Sequence, residues 1–278
     1  MITVLAGWAS LLGMATVEAA DKVTVSESRT IDIRVQNGGF GASPADIKAV
    51  LQSTAGELWR YCPSVRLLGI DVYHRSDHPQ TDSELTAEGR IAIGLAVKDN
   101  HWAQYSFQFA HEYCHALINY NKNHIKVASH ARYPNLWLEE SLCETASLFT
   151  LQAMSRSWLV APPYPVWRDY AQWFSAYLEE RLRLPENHLP AGTRFIVWFR
   201  ANKSDLRRDG TRRDRNTIIA AQLLPIFEKE PQGWGALAFF NPATNESLAQ
   251  QFINWRSRCP HKLQPFVGKL AAVFDVQT

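Results

Sequence analysis

His111 and His115 stand four residues apart, with Glu112 directly after the first, in a stretch (102–121) whose apolar residues recur at helical spacing. On a helix such a pair lies on one face, about one turn apart. On a strand the same four steps would spread the imidazoles over roughly 13 Å. Helical spacing lets two neutral imidazole nitrogens reach one tetrahedral Zn²⁺, and the glutamate between them can reach a water beside the metal without ligating it. Two ligands do not hold a catalytic zinc, so the pattern demands a second element that supplies a third. A five-residue pattern with three fixed positions also arises by chance. Here a strand precedes it and a glutamate-rich helix follows, the context the chemistry needs.

Residues 137–154 read as that second helix. They carry Glu139, Glu140 and Glu144, of which Glu140 and Glu144 share a face at i,i+4 spacing. Cys114 lies inside the motif and Cys143 beside the glutamates, so a zinc clamped between the helices would bring these two thiols near one another.

The combination of His111-Glu112-x-x-His115 with Trp137-Leu138-Glu139-Glu140-Ser141-Leu142-Cys143-Glu144 resembles the gluzincin metallopeptidases, the broad group of thermolysin-like enzymes and zinc aminopeptidases. Many members carry a Trp-Leu-Asn-Glu-Gly-like helix whose Glu is the third zinc ligand. The resemblance therefore implies Glu140 as third ligand, with Glu139 where the group often has Asn and Ser141 where it often has Gly. It also implies that Glu144 is an acidic residue bonded to a zinc-bound histidine, a contact that fixes the tautomer and raises ligand basicity. The close likeness covers residues 102–154. A metzincin pattern fails, because Ile118 and Asn121 stand where its Gly and third His would be.

By that resemblance the chain is expected to be a zinc-dependent peptidase with one catalytic ion. Glu112 would act as general base toward a water activated by the metal, then return the proton to the leaving amine. The oxyanion would take a second donor from the helical part, with Tyr164, Tyr170, Tyr177, His188 and Arg194 as candidates. Residues 90–97 would form the edge strand on which a peptide pairs, with the small face Ala92, Gly94 and Ala96 giving it room. Two alternatives stand beside the peptidase: a non-catalytic zinc-containing peptide-binding module of the same fold, and a zinc hydrolase of a non-peptide amide.

The order of elements predicts an α+β chain of zincin-like fold, with a small N-terminal mixed sheet, two zinc-site helices and a mostly helical C-terminal lobe. Strands are expected within 23–35, 65–73 and 90–97, with a helix over 44–61 opened by Ser43-Pro44 and a polar loop over 75–88. Further helices are expected over 166–184, 194–201, 216–230, 233–240, 247–259 and 266–274. This gives a catalytic lobe over 21–155 and a helical lobe over 156–278, packed as one domain.

Residues 2–17 are apolar and small, and the Val17-Glu18-Ala19-Ala20 stretch offers a cleavage site, so 1–20 read as a signal peptide or N-terminal anchor. No Lys or Arg precedes Lys22, so the usual basic leading region is missing. The expectation is an exported protein, periplasmic or secreted, with no membrane contact beyond that anchor. In that setting Cys62, Cys114, Cys143 and Cys259 suggest disulfides, with Cys114–Cys143 and Cys62–Cys259 as one pairing and free buried thiols as the other outcome. A formal charge of +2 gives no bulk attraction to nucleic acid, and the basic run 207–215 is interleaved with Asp, as in a solvated loop. The 10 Trp are expected in the core.

Overall fold

The computed structural model describes residues 31–119, 133–242 and 244–278. The N-terminal segment 1–20 and the early strand residues 23–30 therefore lie outside the described residues, as do the loop histidines His124 and His130.

Strand β1 (Ile33–Val35) leads through helix α1 (Pro44–Trp59) to β2 (Ile70–His74), and β1 and β2 pair in parallel with Ile33 opposite Ile70. Proline at the first turn of α1 starts that helix, since its missing N–H would be unpaired there anyway. After β2 the chain makes the short strand β3 (Gln80–Thr81) and then β4 (Ile91–Leu95), which pairs parallel with β2 and antiparallel with β3. The mixed sheet runs β1-β2-β4-β3. Strand β4, expected at an edge, is thus interior, and the edge is β3 inside what reads as a polar loop. Two residues of Gln and Thr carry no alternation to betray a strand. The small face of β4 is also filled, because Tyr73 and Arg75 pack directly over Gly94.

Arg90 ties the start of the sheet together. Its guanidinium donates to Asp71 and to Asp32, both at 2.5 Å, and to the carbonyl of Ile70 at 3.0 Å. The apolar strand residues Ile33, Ile70, Val72, Ile93 and Leu95 are fully buried.

Helix α2 (Trp102–Asn119) carries the His-Glu-x-x-His segment and packs between the sheet and α3 (Leu136–Val160). Helix α3 is longer than its sequence suggests and is enclosed by α1, α2, α4 (Ala171–Arg183) and α6 (Arg213–Lys229). A helix buried nearly all round must settle its polar residues internally. Ser141 and Thr145 do so by donating to the carbonyls four residues back, both at 2.7 Å, while Ser147 donates across to Phe107 O at 2.7 Å.

The rest is mostly helical, as expected: α4, α5 (Phe195–Arg208), α6, α7 (Leu248–Arg258) and α8 (Gln264–Val273). The stretch expected as one helix over 166–184 divides into a 3₁₀ segment, Pro165–Tyr170, and α4. The expected helix over 233–240 is 3₁₀, Pro231–Phe239. The basic run 207–215 belongs to the end of α5, a turn and the start of α6. Trp137, Trp158, Trp234 and Trp255 are fully buried, as expected of core tryptophans, while Trp173 is exposed. One continuous buried cluster runs from Ile33 to Phe274.

Candidate metal centre

The helical pitch of α2 points His111 and His115 toward α3, their rings 5.1 Å apart and both buried. Each ring has its two nitrogens in different surroundings. His111 Nδ1 faces Glu144 Oε2 at 3.6 Å, and its Nε2 faces Glu140 Oε2 at 3.3 Å. His115 Nδ1 meets Glu139 Oε1 at 2.9 Å, and its Nε2 faces Glu140 Oε1 at 3.7 Å. Both Nδ1 atoms thus face a rear carboxylate, and both Nε2 atoms converge on the single carboxylate of Glu140. A carboxylate behind the ring fixes the Nδ1–H tautomer and leaves the Nε2 lone pair free to ligate. The side chain of Glu140 is 18% exposed and those of the two histidines are under 10%, so Glu140 is the most exposed of the three.

The rear carboxylates are themselves held. Asn119 Nδ2 donates to Glu139 Oε1 at 3.3 Å. Thr217 on α6 donates to Glu144 Oε1 at 2.9 Å, and Arg181 on α4 lies 4.0 Å from the same oxygen. His111 Nδ1 and Glu144 Oε2 are buried without a hydrogen-bond partner among the described residues, facing each other at slightly more than bonding distance.

Electrostatics point the same way. Burial pushes the His111 imidazole down, but Glu140 and Glu144 outweigh it and hold the group at about 9. Burial likewise opposes the charged form of His115, and Glu140 and Glu139 raise it to about 10. Burial would raise Glu140 and Glu144, yet both stay below the ordinary carboxylate value, Glu140 through His115 and His111, and Glu144 through His111 and Arg213. The pocket is therefore built around positive charge. Without a metal the two imidazoles supply it as protons, and a divalent ion on the two Nε2 atoms would replace them at equal charge.

A second donor set shares the histidines. His111, His115 and the thiol of Cys143 bring one ligand atom each within 4.8 Å of one another, a buried group that could hold a metal ion. Cys143 lies on the closed interior side, where burial, then a hydrogen bond with Cys114, pushes its thiol well above the usual range. All four cysteines are buried free thiols. The Cys114–Cys143 staple is therefore unformed, and Cys62, whose thiol sits against Trp234 O at 3.5 Å, is not joined to Cys259.

Glu112 reaches the sheet edge while its charge still helps to raise both imidazoles. Its carboxylate Oε2 accepts a hydrogen bond from Thr81 Oγ1 at 2.9 Å. Sequence reasoning had no signal for Thr81, in a polar stretch without periodicity. It also missed what Glu139 does, since Asn is what the resemblance offers there. Of the oxyanion candidates, Tyr164 packs edge-on to Trp167 and the Tyr170 hydroxyl accepts from Ala103 N–H at 3.2 Å. His188 and Arg194 lie exposed in the stretch before α5. Burial raises the Tyr177 phenol, with smaller influences from Arg181 and Glu144.

No protein-family model, curated protein or solved structure matches this chain. The site has to be read from its own geometry.

Proposed function

We propose that this chain is a zinc-dependent peptidase of zincin-like fold, with one catalytic ion on His111, His115 and Glu140 and with Glu112 as general base. The observation that carries the reading is the sorting of the imidazole nitrogens: both Nδ1 atoms face rear carboxylates and both Nε2 atoms face Glu140, at 3.3 and 3.7 Å. A zinc bound there would polarise a substrate carbonyl and acidify a nearby water. Glu112 would take the proton of the attacking water on its carboxylate and deliver it to the leaving amine. Tyr177, whose phenol is raised by burial and influenced by Arg181 and Glu144, is the candidate we take as donor for the oxyanion.

The edge strand supports a peptide as substrate. Asp82 N–H donates to Ala92 O on β4 at 2.9 Å, so by strand alternation the N–H and C=O of Thr81 point away from β4. An extended chain can pair there next to Glu112. Export remains part of the proposal, from the apolar N-terminal sequence. Among the described residues no helix is long and apolar enough to cross a membrane.

A second reading is favoured by the His111, His115 and Cys143 group: a closed, structural metal site in a protein that binds peptides or other partners without cutting them. The greater exposure of Glu140 favours it over Cys143, because a catalytic ion needs a position that substrate can reach. Zinc stoichiometry separates the two. Wild type, Glu112→Ala and Cys143→Ala should each hold close to one zinc, and Glu140→Ala much less. Full zinc in Glu140→Ala with loss in Cys143→Ala would overturn the ligand set. Chelator-sensitive cleavage of a peptide library should disappear in Glu112→Ala. Zinc-loaded wild type that cuts no peptide would leave the binding module or a non-peptide amide as substrate.

A further inference from the structure

We infer that Thr81 is a positioning residue for the general base, coupling the substrate-pairing edge to Glu112; this rests on the peptidase reading. Glu112 is buried at 5% exposure, and a buried carboxylate needs a donor to hold one orientation. Among the described residues the hydrogen bond to its carboxylate comes from Thr81, at 2.9 Å. The Thr81 hydroxyl has one proton and two acceptors in reach, Glu112 Oε2 and the Glu112 backbone carbonyl at 3.1 Å. The charged oxygen is the stronger acceptor, and the carbonyl already sits within the hydrogen-bonded ladder of α2.

The backbone of Thr81 does a different job from its side chain. Thr81 as a whole is 1% exposed: its side chain turns inward onto α2, and its peptide groups point away from β4. Thr81 therefore fixes one oxygen of Glu112 and directs its peptide groups to the side on which a substrate strand would pair. A substrate paired there would be in fixed register with the base that acts on it, the condition for an oriented attack.

The test compares Thr81→Val, Thr81→Ala and Thr81→Ser with wild type in the zinc-loaded full chain, following zinc content, thermal midpoint, kcat and KM on one peptide. Valine keeps the shape and strand preference of threonine and removes the hydroxyl. Thr81→Val should keep its zinc and a near-wild-type KM while kcat falls about 10- to 100-fold. Thr81→Ser should recover most of that kcat. If Thr81→Val does not fold, Thr81→Ala carries the same comparison with serine. Wild-type kcat without the hydroxyl, or serine as impaired as valine, overturns the role of Thr81 and leaves the peptidase standing. A loss confined to KM also overturns it, because the residue would then serve only in pairing. Zinc-loaded wild type without cleavage overturns both.

Discussion

Glu139 and Glu144 sit behind different histidines, and neither needs to touch a metal to control it. Glu139 bonds His115 Nδ1 at 2.9 Å and Glu144 faces His111 Nδ1 at 3.6 Å, so each favours Nε2 as the free nitrogen. Replacing either with Gln should leave the fold intact and weaken zinc binding about 10- to 100-fold, measured by competition with a chromophoric chelator. Unchanged affinity in both would sink the assignment of the Nε2 atoms as ligands. The same cage sets a pH dependence for the zinc-free protein. Both imidazoles are raised from 6.5, to about 9 and about 10, so their contribution to stability is complete below about pH 6.5. It is lost as pH climbs through those raised values. The thermal midpoint of chelator-treated protein should therefore fall as pH rises through about 9 and about 10. The zinc-loaded protein, whose imidazoles have already given up the proton, should fall less. Equal falls would show that the carboxylates do not hold the protons.

Between elements, the joint of α3 with α6 decides where Glu139, Glu140 and Glu144 stand. Gly210, in the turn before α6, lies so close to the first turn of α3 that a Cβ would sit 2.7 Å from Trp137 N. Asn216 donates to Gly210 O at 2.8 Å, and Thr217 on the next position holds Glu144. Gly210→Ala should cost about 1–3 kcal/mol by forcing the turn off α3, and should weaken zinc binding with it. Gly56, inside α1, has open space at its Cβ position, so Gly56→Ala should instead stabilise by about 0.5–1 kcal/mol. Denaturant melts of the two variants check the contrast; a neutral Gly210→Ala would mean that the turn can yield. These joints also mark what sequence could and could not reveal. Helices α2 and α3 were legible because helical spacing fixes which side chains share a face. The α+β order followed from where the β-branched and helical stretches fall. Strand β3 was not legible, since two polar residues carry no period and pair only because β4 lies beside them. For the same reason β4 read as an edge. The role of Glu139 escaped because adjacent glutamates on a helix differ only in where the neighbouring helix meets them.

Across the molecule, α3 is the shared wall: it carries the glutamates and is packed by α1 and α2 from the sheet side and by α4 and α6 from the helical side. The buried cluster is continuous through it, with Trp158 donating to Ser53 Oγ of α1 at 2.7 Å and stacking near Trp167 at 5.7 Å. A division near residue 155 would cut this helix within its own length, Leu136–Val160. The two halves should therefore unfold together. Zinc joins α2 to α3, so its binding energy belongs to that whole transition and not to one lobe. At 1,000 times the dissociation constant the ion adds about 4 kcal/mol, which for a chain of this size is about 8–16 °C in the midpoint. Calorimetry with and without chelator should show one transition that moves as a unit. Two transitions, of which only one shifts with zinc, would mean that the helical part folds without reference to the site. The contacts of α4 and α6 with Glu144, through Arg181 and Thr217, could then not be what holds the rear carboxylate in place.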